Sequence, residues 1–365
     1  MKEPLIYKMN KLKNIPLGFT YALVILALVP GIGFYYCKIY GKQNSWLAMI
    51  ISNVLGMLFV KMILNIKSYS EDKSIFEINK LALGNLFGNL VNIIFCSVFT
   101  LLASIICWHS YIFLKTHFFN ETPFFILGLG LFLPLLFISN KNNNVLLKSN
   151  LICFPLICVL CLIAFLGLSF EADLQNLKPF QEIPTKNLIY NTFAVFSTAY
   201  LPTYAITALS NFKNKKNIFK SLLIASLINI GIVFFTYAVL GKSIIDMVDF
   251  SEFFVLRKIG LQTGSNRIDS FIILEWLLCL FALTSCSIFF IRNFIQYQFK
   301  RFKLNYTFII TILIFIISLN IFRNVTTGKL FILKTLPNIC FFTLFVLNFI
   351  IFIILKIKKK PNMVS

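Results

Sequence analysis

Pro30-Gly31-Ile32-Gly33 interrupts a long apolar run, Ile15 to Tyr40, near its middle. Proline lacks an amide proton and glycine weakens a helix, and inside hydrocarbon every backbone group so released must find a partner. A break at that depth suits a cavity, where half-helix N–H groups bind an anion such as a carboxylate and freed carbonyls face a cation. A kink that only shapes packing is the competing reading. A second interruption, Phe196-Ser197-Thr198-Ala199-Tyr200-Leu201-Pro202, divides the apolar run from Leu188 to Leu209. The hydroxyls of Ser197, Thr198 and Tyr200 are suited to holding a small solute or to joining helices. Glu275 stands about two turns into another apolar run, where a carboxylate is costly to leave unpaired and is suited to an amine, a cation or a proton. Neither Arg267 nor Arg292 is at helical i+4 spacing from it, so a structural ion pair would need another helix.

Asn85, Asn89, Asn92, Cys96, Thr100, Ser104, Trp108 and Tyr111 recur every three or four residues and share one helical face. That stripe reads either as a cavity wall, with Ser104 and Trp108 toward the site, or as a seam of interhelical hydrogen bonds. His109 and His117, near its outer end, read as solvated. Cys158-x-x-Cys161 lies in an apolar run with no partner pair and reads as small apolar packing, not a metal or redox site. The sequence carries no nucleophile elbow, phosphate loop or metal-ligand cluster, so neither an enzyme nor a cofactor is expected.

The elements that must position these residues follow from composition. The chain has 365 residues, 58% of them hydrophobic and 13% charged, with a mean hydropathy of +0.84. An ordinary soluble domain is excluded, and an all-α polytopic membrane protein is expected. The net charge of +21 belongs to lysines that flank apolar runs, so membrane topology explains it better than nucleic-acid binding. The first run is too long for a signal-peptide core and has no small-residue cleavage pattern after it, so it reads as a mature helix. Runs long enough to cross a bilayer cover residues 17–40, 45–66, 86–114, 123–139, 148–169, 188–209, 217–241, 270–295, 305–322 and 335–356. With both termini in the cytoplasm, most of the 34 Lys and Arg residues fall on the inner side. Ten crossings split five and five, and an odd number per half makes the halves inverted repeats, about 15–169 and 188–357, of one transmembrane domain spanning 1–365. The breaks in the first and sixth spans then correspond. Residues 243–260 mix Phe250, Phe253, Phe254 and Leu256 with Asp246, Asp249 and Glu252, which predicts a helix lying along the outer interface.

Particular segments resemble a known family. Phe250-Ser251-Glu252-Phe253-Phe254-Val255-Leu256-Arg257-Lys258-Ile259, then Asn266-Arg267-Ile268-Asp269-Ser270 and Ile272-Ile273-Leu274-Glu275-Trp276, resemble the entry to the eighth span in B subunits of spore-germination nutrient receptors. Asn176-Leu177-Lys178-Pro179-Phe180 in an outer loop agrees, as does the ten-span plan. The break at Pro30 to Gly33 is shared with the wider amino acid/polyamine/organocation permease class. The resemblance implies a LeuT-like 5+5 inverted repeat, a place in the spore inner membrane, a larger A-type subunit and a lipoprotein C-type subunit as partners, and sensing of a small nutrient, commonly an amino acid. Many relatives carry glycine, and often an acidic residue, at the sixth-span break, where this chain has Ser197-Thr198-Ala199-Tyr200, which leaves substrate class and ion coupling open.

On this reading a germinant binds between the two breaks. Pro30, Gly31, Ile32 and Gly33 form one wall, Phe196, Ser197, Thr198 and Tyr200 another, with Ser104 or Trp108 and Glu275 completing it. Binding would shift the bundle between two packings. A secondary amino acid or amine transporter with Glu275 as a proton-linked group is the alternative, and a nutrient-opened ion pore is a third reading.

Overall fold

The computed structural model describes residues 5–70, 72–178, 184–209, 215–263, 268–299, 306–322 and 324–359. Among them there is no β-strand. The principal helices are α1 (Leu5–Leu28), α2 (Ser45–Lys67), α3 (Ile75–Leu83), α4 (Asn85–His117), α5 (Phe124–Ser139), α6 (Asn143–Ser169), α7 (Thr185–Val195), α8 (Lys215–Met247), α9 (Ser251–Phe254), α10 (Leu256–Thr263), α11 (Ile268–Gln298), α12 (Tyr306–Asn320), α13 (Val325–Lys334), α14 (Leu336–Cys340) and α15 (Leu347–Lys359). Pro179, Phe180 and Glu182 of the outer loop, and Asn266 and Arg267 before α11, lie outside the described residues.

Six stretches are long and apolar enough to cross a bilayer among the described residues, or seven if α12 and α13, bent by 109°, form one crossing. The chain is thus an all-helical, multi-pass integral membrane protein. The ten apolar runs do not stand as ten uninterrupted helices. The first two join into one helical stretch, Ile15–Lys67, broken near Pro30 and turned again at Lys42, whose φ is 45°. The run at 123–139 supplies only the 16 residues of α5.

α1 lies at the centre. Every side chain from Thr20 to Val29 is at most 3% exposed, because α6, α8 and α11 pack around it. A stretch buried on all sides is apolar on all sides, and from Thr20 to Val29 only Thr20 and Tyr21 carry a polar side-chain group. By contrast Ile152, Leu162 and Leu166 of α6 are more than 60% exposed. In lipid such a surface costs nothing, since the solvent is as apolar as the side chains.

The sixth run winds in three pitches. α7 passes into a π-helical turn, Phe196–Tyr200, and then a 3₁₀ helix, Leu201–Ala208, with Pro202 in its first turn. The junction residues Val195, Tyr200 and Leu201 keep right-handed helical angles. The expected break is therefore a change of winding, not an unwound segment. Pro202 has no N–H to offer four residues back, and a tighter winding moves pairing to three residues back. The hydroxyls of Thr198, Thr203 and Thr207 turn onto the carbonyls of Ala194, Tyr200 and Tyr204. The Tyr200 hydroxyl donates to Asn53 Oδ1 on α2 and lies 3.1 Å from Ser226 Oγ on α8, tying three crossings together. We expect Tyr200→Phe to cost about 1–3 kcal/mol by orphaning buried polar partners, measured as a lower melting temperature of the detergent-solubilised chain.

Candidate functional site

In an unbroken α-helix the Gly31 N–H would bond the Ala27 carbonyl, four residues back. Here the two are parted, because Pro30 adopts φ −63°, ψ 140° and Gly31 adopts φ 79°, ψ −85°. Each end finds a partner from the second half of the chain. Gly31 N–H donates to Glu252 Oε1 at 2.6 Å, and Trp276 Nε1–H donates to the Ala27 carbonyl at 3.2 Å. Both side chains are buried, and the carboxylate bond is the stronger kind because it is charge-assisted. Gly31 is required twice over. Its positive φ penalises any side chain, and a Cβ would stand 2.6 Å from His109 Nε2 and 3.1 Å from Trp276 Cζ2.

Glu252 reaches the break because the chain turns inward after α8. Phe250 takes the left-handed conformation, φ 57°, ψ 50°, and starts α9 toward the protein interior. Ser251 Oγ then donates to the carbonyls of Ile245 and Val248, closing the end of α8. The rings of Phe250 and Phe253 pack on Phe113, at 5.2 and 4.7 Å between centroids, and Phe253 meets Trp276 at 4.9 Å. The segment read as one helix along the outer interface is thus two short helices, with its acidic residue turned in. His109 also differs from its expected solvated state. It is 9% exposed, held between Phe250 and Trp276, and its Nε2 has no hydrogen-bond partner among the described residues.

An inner cavity adjoins the break, lined by Pro30, Cys161, Thr236, Glu252, Phe253, Glu275 and Trp276. Glu275 Oε1 accepts from Cys161 Sγ at 2.9 Å, while Oε2 has no partner among the described residues. Cys161, read as mere packing, is therefore this acid's hydrogen-bond donor. Arg292 is not its counter-ion: it donates to the carbonyls of Ser139 and Lys141 and to Asn143 Oδ1, capping α5 with a positive charge. Glu252 lies between the membrane-capable stretches of α8 and α11, and burial pushes its carboxyl up to about 7 despite the lowering by its own and the Gly31 backbone N–H. Neither acid forms a salt bridge among the described residues. Two carboxylates in an apolar, aromatic chamber suit an ammonium group or another small cation, with the Trp276 ring adding a cation–π face.

A vestibule also adjoins the break, lined by Gly31, Ile32, Tyr35, Lys38, His109, Asp249 and Lys329. Glu252 lines both spaces. It is the residue their linings share, and it is held there by the Gly31 N–H. Lys329 pairs with Asp249 at 2.8 Å in the vestibule, and Lys38 Nζ donates to the Val248 carbonyl.

The expected site residues separate into two groups. Pro30, Gly31, Ile32 and Glu275 line these spaces, with Gly33 one residue further along the first span. Phe196, Ser197, Thr198 and Tyr200 pack beside the break at residues 29–33 but line neither space. Phe196 instead lines a lipid-side apolar groove with Phe59 and Phe345, Thr198 bonds its own helix, and Ser197 Oγ is buried without a partner among the described residues. Ser104 Oγ donates to the carbonyls of Thr100 and Ile314, and Trp108 packs edge-on to Phe322 against Gly328, which has no Cβ to block the ring. With Tyr111 bonded to Ser318, the C-terminal part of the polar stripe on α4 is a seam against α12, while Asn92 bonds Asn79 of α3 and Asn89 accepts from Gln298 of α11. One residue beyond Trp108 the helix has turned by about 100°, and His109 is the side chain that meets the break. The sequence placed none of Glu252, His109 and Cys161 in the site; the signals for Glu252 were its aromatic-rich acidic segment and the family resemblance of the stretch around it.

Residues 15–327, which include Gly31, Glu252, Glu275 and Trp276, match the family model described as spore germination protein. The chain belongs to that family. No curated protein matches it. In this spore germination protein the helix break, both acids and the closing tryptophan all lie within the family match. Trp276→Phe keeps the ring packing and removes the donor to Ala27. The orphaned carbonyl should cost about 1–3 kcal/mol, read as a lower melting temperature.

Proposed function

We propose that the chain is the membrane subunit of a nutrient-germinant receptor that binds a small nutrient, an amino acid, in the cavity beside the first-span break. The observation that carries this is the pair of buried carboxylates, Glu252 and Glu275, set around Trp276 at a broken helix in a spore germination protein. The ligand's ammonium group sits in the inner chamber against Glu275, whose Oε2 is otherwise without a partner among the described residues. Its carboxylate is directed to the Gly31 N–H. Nothing in this arrangement requires a catalytic step.

The wider plan is part of the same proposal: ten membrane crossings, a LeuT-like 5+5 inverted repeat, both termini in the cytoplasm, the spore inner membrane as location, and A-type and C-type receptor subunits as partners. The central position of α1 and its break supports the plan, because a ligand at that point touches helices from both halves. Binding signals only if the nutrient prefers one packing of the bundle over the other. Glu275→Gln should raise the half-maximal germinant amino acid concentration by at least about tenfold, equivalent to 1.4 kcal/mol. Its abundance in spore membranes should be unchanged, and a normal response at normal abundance would remove Glu275 from the site.

The unpaired oxygen of Glu275 also favours a second reading, a secondary amino acid or amine transporter in which this acid carries a proton. Uptake of labelled amino acids into vesicles containing this chain alone distinguishes the two, because a receptor subunit binds them without accumulating them.

A further inference from the structure

Glu252 does more than line the chamber. Its carboxylate sits 2.6 Å from the amide that the helix break sets free, the place to which a ligand carboxylate would be directed. We infer that Glu252 is a tethered stand-in for the ligand's carboxylate, one that a nutrient must displace from Gly31 N–H, so that it selects ligands bringing a carboxylate of their own. The inference rests on the nutrient-binding reading above for the identity of the ligand, but not for the chemistry of the contact.

Four observations support it. The bond joins residues 221 apart in the chain, through a four-residue helix started by a strained left-handed Phe250, so it is held by packing and not by local sequence. Glu252 faces both the chamber and the vestibule. Two polar atoms on residues more than nine-tenths buried face the same spaces without partners among the described residues, His109 Nε2 at the vestibule and Glu275 Oε2 at the chamber. A zwitterion replacing the Glu252 contact would supply partners for both, with its carboxylate on Gly31 N–H beside His109 and its ammonium on Glu275. Finally, the displaced carboxylate has Lys38 of the vestibule within electrostatic reach. An amine without a carboxylate would leave the Gly31 N–H bare on displacing Glu252, and a buried orphan donor is costly.

The test is chemical replacement of the carboxylate in the full-length, detergent-solubilised protein. Glu252→Ala empties the position, and Glu252→Asp, shorter by one methylene, withdraws the carboxylate while preserving the charge and the loop. Melting temperature is followed against sodium acetate, with sodium chloride at equal ionic strength as control. Acetate should raise the melting temperature of Glu252→Ala by several degrees, increasing with the logarithm of its concentration, raise that of Glu252→Asp by less, and leave the wild type at its chloride value. Equal acetate and chloride curves for both variants, or an equal acetate effect on the wild type, would overturn the inference. Ethylammonium chloride, which has no carboxylate, should produce no variant-specific shift. The acetate result stands apart from the nutrient reading: if no amino acid elicits germination while acetate still stabilises the variants, the proposed receptor function falls and the carboxylate site remains.

Discussion

The structure turns on one hydrogen bond that is not made. Pro30 and Gly31 separate the Gly31 N–H from the Ala27 carbonyl just after a helical stretch, Thr20 to Val29, that is buried on all sides. At that depth water cannot take either group, and each left alone costs on the order of 1–3 kcal/mol. Two residues from α9 and α11 replace the missing bond, Glu252 on the donor side and Trp276 on the acceptor side. The inward turn at Phe250, the packing of Phe253 and Trp276 on Phe113, and the absence of a side chain at residue 31 all serve that replacement.

The replacement also concentrates charge. Burying a carboxylate costs several kcal/mol unless donors satisfy it, and the two acids here are satisfied unequally. Glu252 has a backbone N–H, whereas Glu275 has a weak thiol donor on one oxygen and no partner on the other among the described residues. A folded protein tolerates such a deficit where a ligand can meet it. Several polar groups elsewhere in the bundle are paired. Asn79 donates to Asn92 and to Tyr204, Arg292 closes the end of α5, and Ser104 and Tyr111 of the α4 stripe are taken up by α12.

Pro30 and Gly31 could be read as a break because their effect on a helix is a property of their own backbones. Glu275 could be read as a buried acid because the run around it is apolar. Ser104 and Trp108 were drawn toward the site by a periodicity that identifies one face of α4 but not what that face meets, and its C-terminal part meets α12. His109, a single residue away, carried no such pattern and sits against Gly31. The second interruption shows the same limit: Pro202 and its hydroxylated neighbours signal irregular winding, yet whether the chain unwinds or only changes pitch depends on packing around Tyr200.

The amino-acid sequence alone determined the solvent of this protein, its helical class and the position of the break, since hydropathy and the chemistry of proline and glycine act within a few residues. Only the tertiary structure decided which side chains close that break, because Glu252 and His109 reach Gly31 through the packing of α9 and α4, and no local pattern encodes a contact across more than two hundred residues.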